Sequence, residues 1–283
     1  MSKKLKGYKF QPLVHAITYI ILIAGSVAML FPLFWMLSAS LKESWQVFTS
    51  PITWFPHPVR WENYSDLFTK LPFSFLNWVK NTCIVLAGTI VGTLVSSTLV
   101  AYGFAKFRAP GKNVLFIILL STMMLPGAVT MFPVYKMYSS FGWIDTYAPL
   151  IVPAFFGSSF NIFLLRQYFL TIPTELEDAA KIDGMNPFLI MTVIILPLSL
   201  PILITVTIMQ FNAAWNDFMG PLLYLNKIEK YTLALGLNFF KGQYNVQWNY
   251  LMAASFISLL PSMLLFFFGQ KYFVESITIT GIK

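Results

Sequence analysis

Six apolar runs, each long enough to cross a lipid bilayer, divide this chain and constrain its fold more than any other feature. A membrane-spanning helix needs about 20 consecutive apolar residues, and the first run, residues 13–37, exceeds that length. The other runs lie near residues 82–104, 114–132, 147–165, 188–211 and 250–268. Because a bilayer core admits only helices and closed barrels, these runs predict an all-α, polytopic membrane protein with six transmembrane helices.

The composition agrees with a chain that is solvated mainly by lipid. Hydrophobic residues make up 57% of the sequence and charged residues 11%, whereas soluble domains carry roughly 25% charged residues. The formal net charge of +8 is compatible with nucleic-acid binding, but the basic residues are scattered through segments that flank the apolar runs. That distribution is typical of a membrane topology signal and argues against a nucleic-acid partner.

The basic residues also predict the orientation of the chain. Eleven of the 19 Lys and Arg residues fall in segments that six crossings place on one side of the membrane. These segments are the N-terminus, the turn with Lys106, Arg108 and Lys112, the stretch 166–181, and the tail from residue 271. The positive-inside rule therefore places both termini and the polar stretch 173–187 in the cytoplasm.

The polar stretch 173–187 is predicted to form two short helices joined by a sharp turn. Thr174 and Glu177 have the spacing of a capping box, and Glu177 and Lys181 have that of an i,i+4 ion pair. Gly184 predicts the end of the first helix. Helices this short are not stable alone, so we expect them to dock on another protein. An ordinary loop between two spans is the alternative.

Two prolines, Pro197 and Pro201, lie four residues apart in the fifth run. Each removes a backbone hydrogen-bond donor, so the helix is predicted to kink or partly unwind there. Irregular backbone inside a membrane is tolerated only where it is buried in protein or lines a water-filled cavity, which makes this span a candidate pathway wall. Its far end carries amide, carboxylate and indole groups that suit a sugar, and that equally suit a hydrated helix end: Asn212, Trp215, Asn216 and Asp217.

Other positions predict packing and external contacts. Gly88 and Gly92 form a small-xxx-small pattern that allows close helix approach, either within the subunit or, as the alternative, to a second copy or homologue. The loop 42–80 is rich in aromatic residues, which we expect to anchor at the membrane interface or to contact an external partner. The loop 216–249 is long enough to reach into a docked protein.

The chain lacks groups that would let it power transport by itself. It has no Walker A sequence, so it cannot bind ATP through a P-loop. No charged residue is evident in mid-span as an ion or proton relay, which disfavours a self-sufficient secondary transporter or channel. Cys83, His15 and His57 form no metal or catalytic constellation. We therefore predict a protein that is not an enzyme, binds no cofactor and draws its energy from a partner.

The stretch 173–187 resembles the EAA loop of ATP-binding-cassette (ABC) import permeases. The pattern of that family is Glu-Ala-Ala, three residues, Gly, nine residues and Ile-x-Leu-Pro. The residues that fall on this spacing are Asp178, Ala179, Ala180, Gly184, Ile194, Leu196 and Pro197. Asp178 replaces the usual Glu, while Glu177 beside it supplies a second carboxylate, so the resemblance leaves open which of the two reaches a partner.

From about Lys80 onward the chain is also similar to carbohydrate-uptake permeases, and among them to the second permease of maltose-type importers. The similar stretches are Asn81-Thr-Cys, Ala101-Tyr-Gly-Phe-Ala-Lys-Phe-Arg, Met124-Leu-Pro-Gly, Asn161-Ile-Phe-Leu-Leu-Arg-Gln, Trp215-Asn-Asp-Phe and Lys271-Tyr-Phe-Val-Glu. The resemblance implies the type I ABC importer permease fold. The implied organisation is a cytoplasmic N-terminus (1–12), a first span with its external loop (13–79), a permease core (80–270) and a cytoplasmic tail (271–283).

The same resemblance implies the partners and the site. Such a permease lies in a bacterial or archaeal inner membrane and pairs with a homologous permease. It receives a sugar or oligosaccharide from an external solute-binding protein. A glycerol phosphoester or an acidic oligosaccharide is the alternative cargo. Two copies of a cytoplasmic ATPase, which use ATP and Mg, bind the EAA loop and rock the permeases between inward-facing and outward-facing states. The implied coupling residues are Glu177, Asp178, Ala179, Ala180, Lys181, Asp183 and Gly184, and the tail 276–283 is expected to touch the ATPases as well.

Overall fold

The computed structural model describes residues 11–70, 74–241 and 246–278, with side chains for residues 14–70, 74–241 and 246–270. All regular structure in these ranges is helical, as the apolar runs predict. The predicted basic N-terminus lies almost entirely outside the described residues, as does the last part of the tail. The α-helices are α1 (Gln11–Ser40), α2 (Glu62–Thr69), α3 (Phe75–Lys106), α4 (Lys112–Ser121), α5 (Gly127–Ser140), α6 (Ala148–Ile151), α7 (Ser159–Thr171), α8 (Thr174–Ile182), α9 (Pro187–Ile190), α10 (Leu196–Leu198), α11 (Leu200–Trp215), α12 (Met219–Tyr224), α13 (Leu233–Leu237) and α14 (Trp248–Thr278).

Four helical stretches are long and apolar enough to cross a membrane, and two bent pairs raise the number to six. The four are Val14–Ser40, Phe75–Lys106, Ala148–Thr171 and Trp248–Gln270. The bent pairs are Lys112–Met124 with Gly127–Ser140, and Pro187–Leu198 with Leu200–Trp215. The structure therefore supports the predicted six spans, two of which are broken.

The third predicted span, residues 114–132, is broken in the structure and is not one helix. α4 and a 3₁₀ turn end at Met124, and α5 leaves at an angle of 97° from the first segment. The residue before a proline is pushed out of the helical region, and Leu125, which precedes Pro126, has a ψ of 115°. Pro126 is extended too, with a ψ of 133°, so α5 starts afresh at Gly127.

The predicted kink of the fifth span is confirmed. A π-helical turn, Met191–Ile195, interrupts its first half, and the two halves meet at an angle of 79°. Pro197 and Pro201 both lie in the first turn of the helices that follow the interruptions, where a missing backbone N–H costs least. Ser199 lies at the break between α10 and α11 and is fully buried, so this irregular backbone is covered by protein.

The chain divides into two compact units, Met1–Lys70 with Phe240–Ile257, and Leu71–Phe239 with Ser258–Lys283. In the first unit, buried polar groups order the loop that follows α1. Asn63 donates hydrogen bonds of 2.8 Å to the carbonyls of both Ser40 and Lys42. The exposed residues of this loop include Trp45, Trp54, Phe55 and Trp61, and their role as membrane-interface anchors or external contacts stays a prediction.

In the second unit, α3 is the helix around which the others pack. A Cβ added to Gly88 would lie 2.6 Å from Cγ2 of Ile151, and one added to Gly92 would lie 2.7 Å from the Phe155 ring. Ser96, one turn further on, donates a 2.8 Å hydrogen bond to the Ala154 carbonyl. The small residues therefore serve close packing within the subunit.

The first turns of α3 hold the segment that precedes α13. Trp78 is buried and its indole N–H donates to the Ile228 carbonyl at 2.9 Å. Asn81 donates to the carbonyls of Glu229 and Tyr231 at 2.8 and 2.9 Å. Ile228 and Glu229 belong to a short 3₁₀ turn, Ile228–Lys230, and Tyr231 follows it. The side chains of α3 supply the hydrogen-bond partners that a longer helix would otherwise provide for these carbonyls.

Candidate functional site

α8 is a short helix between two turns that the sequence specifies locally. Pro173 lies in extended backbone ahead of it, with a ψ of 137°. Beyond its end, Gly184 has a φ of +80°, a conformation that favours glycine. The N–H of Gly184 bonds to the Lys181 carbonyl and that of Met185 to the Ala180 carbonyl, both at 3.0 Å. The predicted turn at Gly184 is therefore confirmed.

One face of α8 is buried and carries a charge. Glu177 Oε1 lies 2.6 Å from the Nζ atom of Lys106, and the two side chains are only 7% and 5% exposed. The contact is an ion pair rather than an aligned hydrogen bond, because Glu177 Oε1 has no hydrogen-bond partner among the described residues. Ala180, one turn further on, lies in the same hydrophobic core as Phe169 and Ile190. This face fastens α8 to the membrane helices.

Two predictions about α8, one on its cap and one on its ion pair, are wrong. Pro173, not Thr174, precedes the helix, and no side chain caps its first turn, so the capping box is absent. Lys181 pairs with Asp178 at 2.8 Å, three residues away, and not with Glu177. The cause is tertiary, because Lys106 holds Glu177 against the core and away from Lys181.

The opposite face of α8 and the turn after it are exposed. This surface carries the remaining coupling residues predicted from the sequence: Asp178, Ala179, Lys181, Asp183 and Gly184. The Asp178 side chain is 67% exposed, and the hydrogen bond from Lys181 holds the pKa of Asp178 below its ordinary value. Ile182 is 87% exposed. Ile182 therefore adds exposed apolar area to this charged surface.

A charged cavity of about 620 Å³ lies beside α8. Its charged lining residues are Lys106, Arg108, Lys112, Glu177, Asp178 and Lys181. The basic turn after α3 and the 173–187 stretch therefore lie together, as the pattern of basic residues predicts. This supports a common side of the membrane for both segments.

Two of the four predicted pathway residues have structural roles. Trp215 is buried, donates its indole N–H to the Ser258 carbonyl at 2.9 Å, and stacks on Phe211. Asp217 is half-buried and accepts a 3.1 Å hydrogen bond from the N–H of Gly220 in α12. Burial raises the pKa of Asp217, although the backbone hydrogen bonds oppose that shift.

The other two pathway residues, Asn212 and Asn216, are exposed one turn apart near the end of α11. The side-chain amide of Asn212 donates to the Ile208 carbonyl at 3.0 Å, one turn earlier in the helix. That of Asn216 donates to the Asn212 carbonyl at 2.9 Å. The structure therefore separates the predicted set into an exposed amide pair and a packed Trp215 and Asp217. The amide pair is the part that suits a polar ligand.

Sequence reasoning missed the role of Lys106. It belongs to the stretch that begins at Ala101 and resembles the carbohydrate-uptake permeases, and the topology argument used it only as a positive charge. The signal available was its position as the last residue of α3, where a cation is favourable beside the final carbonyls. That signal gave no indication of the long-range partner Glu177.

Comparison with known proteins identifies the class. Residues 88–279 match the family described as the inner membrane component of binding-protein-dependent transport systems. The arabinooligosaccharides transport system permease protein AraQ of Bacillus subtilis (strain 168) is 34% identical over 260 residues, which cover 91% of this chain and 92% of that protein. The sn-glycerol-3-phosphate transport system permease protein UgpE of Brucella melitensis biotype 1 is 32% identical over 279 residues, covering 95% and 98%.

A solved structure shares the fold. It is a bacterial ABC transporter involved in the import of the acidic polysaccharide alginate, with a TM-score of 0.83 and 23% identity over 94% of this chain and 98% of that chain. The fold and the sequence matches together define an importer permease. This chain belongs to the family of inner membrane components of binding-protein-dependent transport systems, which confirms the resemblance seen in the EAA-like stretch.

Proposed function

We propose that this chain is the permease subunit of an ATP-driven importer of a neutral sugar or oligosaccharide, and that α8 is its coupling helix. The observation that carries the proposal is the division of α8 into a face fixed to the membrane helices and a face left free. A helix held in this way transmits a pull on its exposed side as a rigid body, whereas a loose loop absorbs it.

The free face of α8 suits a protein partner. Ile182 supplies apolar area, Ala179 allows close approach, and Asp178 presents a carboxylate to a basic or amide group. Glu177 is occupied by Lys106, so Asp178 is the carboxylate that reaches the partner. The partner is a cytoplasmic ATPase, present in two copies, that binds ATP and Mg.

The remaining partners follow from the family. The chain pairs with a homologous permease, each forming half of the pathway, and an external solute-binding protein delivers the cargo. The termini and α8 face the cytoplasm, and this orientation rests on the positive-inside rule. The proximity of α8 to the basic turn 106–112 supports it.

A neutral cargo is favoured by the candidate pathway. Asn212 and Asn216 offer amides to hydroxyl groups, and residues 200–226 contain no Lys or Arg with which to pair a phosphate or carboxylate. The name of AraQ, an arabinooligosaccharide permease, agrees with a neutral saccharide. The names of UgpE and the alginate transporter favour the second candidate, a glycerol phosphoester or an acidic saccharide.

Reconstitution tests this function. The full complex, with its ATPase, second permease and binding protein, is placed in liposomes and offered labelled arabino-oligosaccharide, malto-oligosaccharide, sn-glycerol 3-phosphate and alginate fragments. We expect uptake of a neutral saccharide that depends on ATP inside and binding protein outside. Uptake restricted to the charged compounds establishes the second candidate, and uptake without the ATPase contradicts the coupling role.

The amide pair is tested in the same assay. Asn212→Ala together with Asn216→Ala is expected to lower saccharide uptake and leave basal ATP hydrolysis intact. Gln270→Ala, an exposed amide on α14 that likewise donates to a carbonyl of its own helix, is the matched control. Unchanged uptake in the Asn212, Asn216 double variant removes these residues from the pathway.

A further inference from the structure

We infer that Lys106 is a positioning residue that locks the joint between α7 and α8, so that movement of α8 is passed to the membrane helices. The inference rests on the proposed coupling role of α8 and adds to it the group that makes the coupling stiff. It also assigns Glu177 to this lock and not to the ATPase contact.

The Lys106 ammonium joins three helical segments at one point. It is carried by the last residue of α3, it donates a 2.9 Å hydrogen bond to the Ile172 carbonyl just after α7, and it lies 2.6 Å from Glu177 in α8. The ends of α3, α7 and α8 are thus connected through a single buried cation. A rotation of α8 about its joint with α7 has to break one of these contacts.

The backbone of the joint provides little restraint of its own, since the N–H of Ile172 makes only a long 3.4 Å hydrogen bond to the Phe169 carbonyl. Ile172 and Pro173 separate α7 from α8, and both are extended, with ψ values of 123° and 137°. Pro173 has no N–H to donate. Extended backbone with so few helical hydrogen bonds is a natural hinge, since a few residues absorb the change in φ and ψ.

The joint at the other end of α8 is closed differently. There the N–H groups of Gly184 and Met185 bond back to carbonyls of α8 itself. That turn depends on local backbone hydrogen bonds, whereas the α7–α8 joint depends on a side chain from α3. A long-range contact of this kind connects the coupling helix to a distant element, which a local cap does not do.

The chemistry of the lock favours a positional role over a purely stabilising one. Replacing a buried ion pair by well-packed apolar residues is often neutral or stabilising, so such a pair is weak support for stability. A lysine holds Glu177 and the Ile172 carbonyl with one ammonium group, and it fixes their relative position. An apolar pair fills the same space but fixes no such geometry.

The test compares four forms of Lys106 and Glu177 in the reconstituted complex. The variants are Lys106→Glu, Glu177→Lys, the charge exchange that combines both, and the apolar pair Lys106→Met with Glu177→Leu. Three quantities are measured: co-purification of the ATPase, basal ATP hydrolysis, and sugar transported per ATP hydrolysed. Thermal unfolding of each purified complex shows whether it is folded.

The single charge variants are expected to lower the sugar moved per ATP by about tenfold or more, as expected for residues coupled in one ion pair. The charge exchange is expected to restore most of the ratio. The apolar pair is expected to fold normally, to bind the ATPase and still to transport poorly for each ATP hydrolysed, which a merely structural role does not predict.

Full coupling in the folded apolar pair overturns the inference, as does a wild-type ratio in a folded single charge variant. A charge exchange that folds without regaining the ratio overturns it as well. Failure of the proposed function is a separate result, because in that case the wild-type complex itself shows no ATP-dependent uptake.

Discussion

The two faces of α8 carry adjacent carboxylates in opposite environments. Glu177 is 7% exposed and paired with a buried lysine, whereas Asp178 is 67% exposed and paired with a lysine in solvent. The same contrast separates the buried Ala180 from the exposed Ala179. The comparison shows that one short motif has two environments, since one face holds the helix to its own subunit and the other is exposed. Under the proposed function, the exposed face contacts the ATPase.

The largest difference in the free energy of unfolding is expected between variants of the two carboxylates, Glu177 and Asp178. Glu177→Ala leaves the Lys106 ammonium buried without its counter-charge, and we expect a loss of about 3–5 kcal/mol in the free energy of unfolding. Asp178→Ala removes an exposed pair and is expected to lower the stability only slightly while weakening ATPase binding. Denaturant unfolding of the purified subunit and co-purification of the ATPase measure the two effects. Equal stability losses in both variants break the comparison.

The two alanines give the next contrast. Ala180 is buried in the core beside Phe169 and Ile190, so Ala180→Leu overpacks it and is expected to cost about 1–3 kcal/mol of stability. Ala179→Leu adds the same atoms on the exposed face, where the subunit has room and a docked partner has not. We expect Ala179→Leu to leave the unfolding midpoint of the subunit unchanged and to reduce its affinity for the ATPase. A stability loss at Ala179 matching that at Ala180 contradicts the assignment of faces.

Substitution in the turn after α8 is expected to have a smaller effect on the free energy of unfolding, and backbone strain is its only expected cause. Gly184 has a φ of +80° and open space around its Cβ position, so Gly184→Ala adds backbone strain of roughly 1–2 kcal/mol without a clash. Gly184→Asn is expected to cost less, because asparagine tolerates this conformation better. Gly127→Ala, equally open but outside the left-handed region, is the control. Unfolding free energies that do not differ among the three refute the turn.

The smallest predicted effect is a dependence on pH at the exposed pair. The Lys181 hydrogen bond lowers the pKa of Asp178, so the charged pair contributes its stabilisation above the ordinary carboxyl pKa of about 3.9 and loses it as the pH falls through the lower folded value. Lys181→Met is expected to raise the pKa of Asp178 and abolish this contribution. Titration of Asp178 by NMR in the labelled subunit measures both. An unchanged pKa in the variant shows that Lys181 is not the cause.

Local signals predicted the parts of this structure that depend on nearby residues. The length of the apolar runs predicted the spans, Pro197 and Pro201 predicted the broken fifth span, and Gly184 predicted the turn. The break in the third span was also encoded locally at Pro126, but an apolar run long enough for one crossing hid it. The proline was the more informative signal.

The buried face of α8 was not predictable in the same way. The spacing of Glu177 and Lys181 is that of a favourable helix pair. In the structure, however, Glu177 pairs with Lys106, which belongs to α3 and is distant in sequence. Only the packing of α3, α7 and α8 brings that ammonium to Glu177. Likewise, Trp215 and Asp217 resembled ligand groups, but one completes a helix contact and the other holds the start of α12.

Cross-linking to the ATPase tests the central claim most directly. In a Cys83→Ser background, which removes the lone native thiol, single cysteines are introduced by Ala179→Cys, Ala180→Cys and Ile182→Cys. The assembled complex is then treated with a short cross-linker that reacts with a thiol at one end and carries a photo-activated group at the other, so that it needs no cysteine on the ATPase. We expect ATPase adducts from positions 179 and 182 and none from 180. Absence of an adduct from both exposed positions, or labelling of these cysteines by an impermeant reagent outside intact cells, would contradict the central claim.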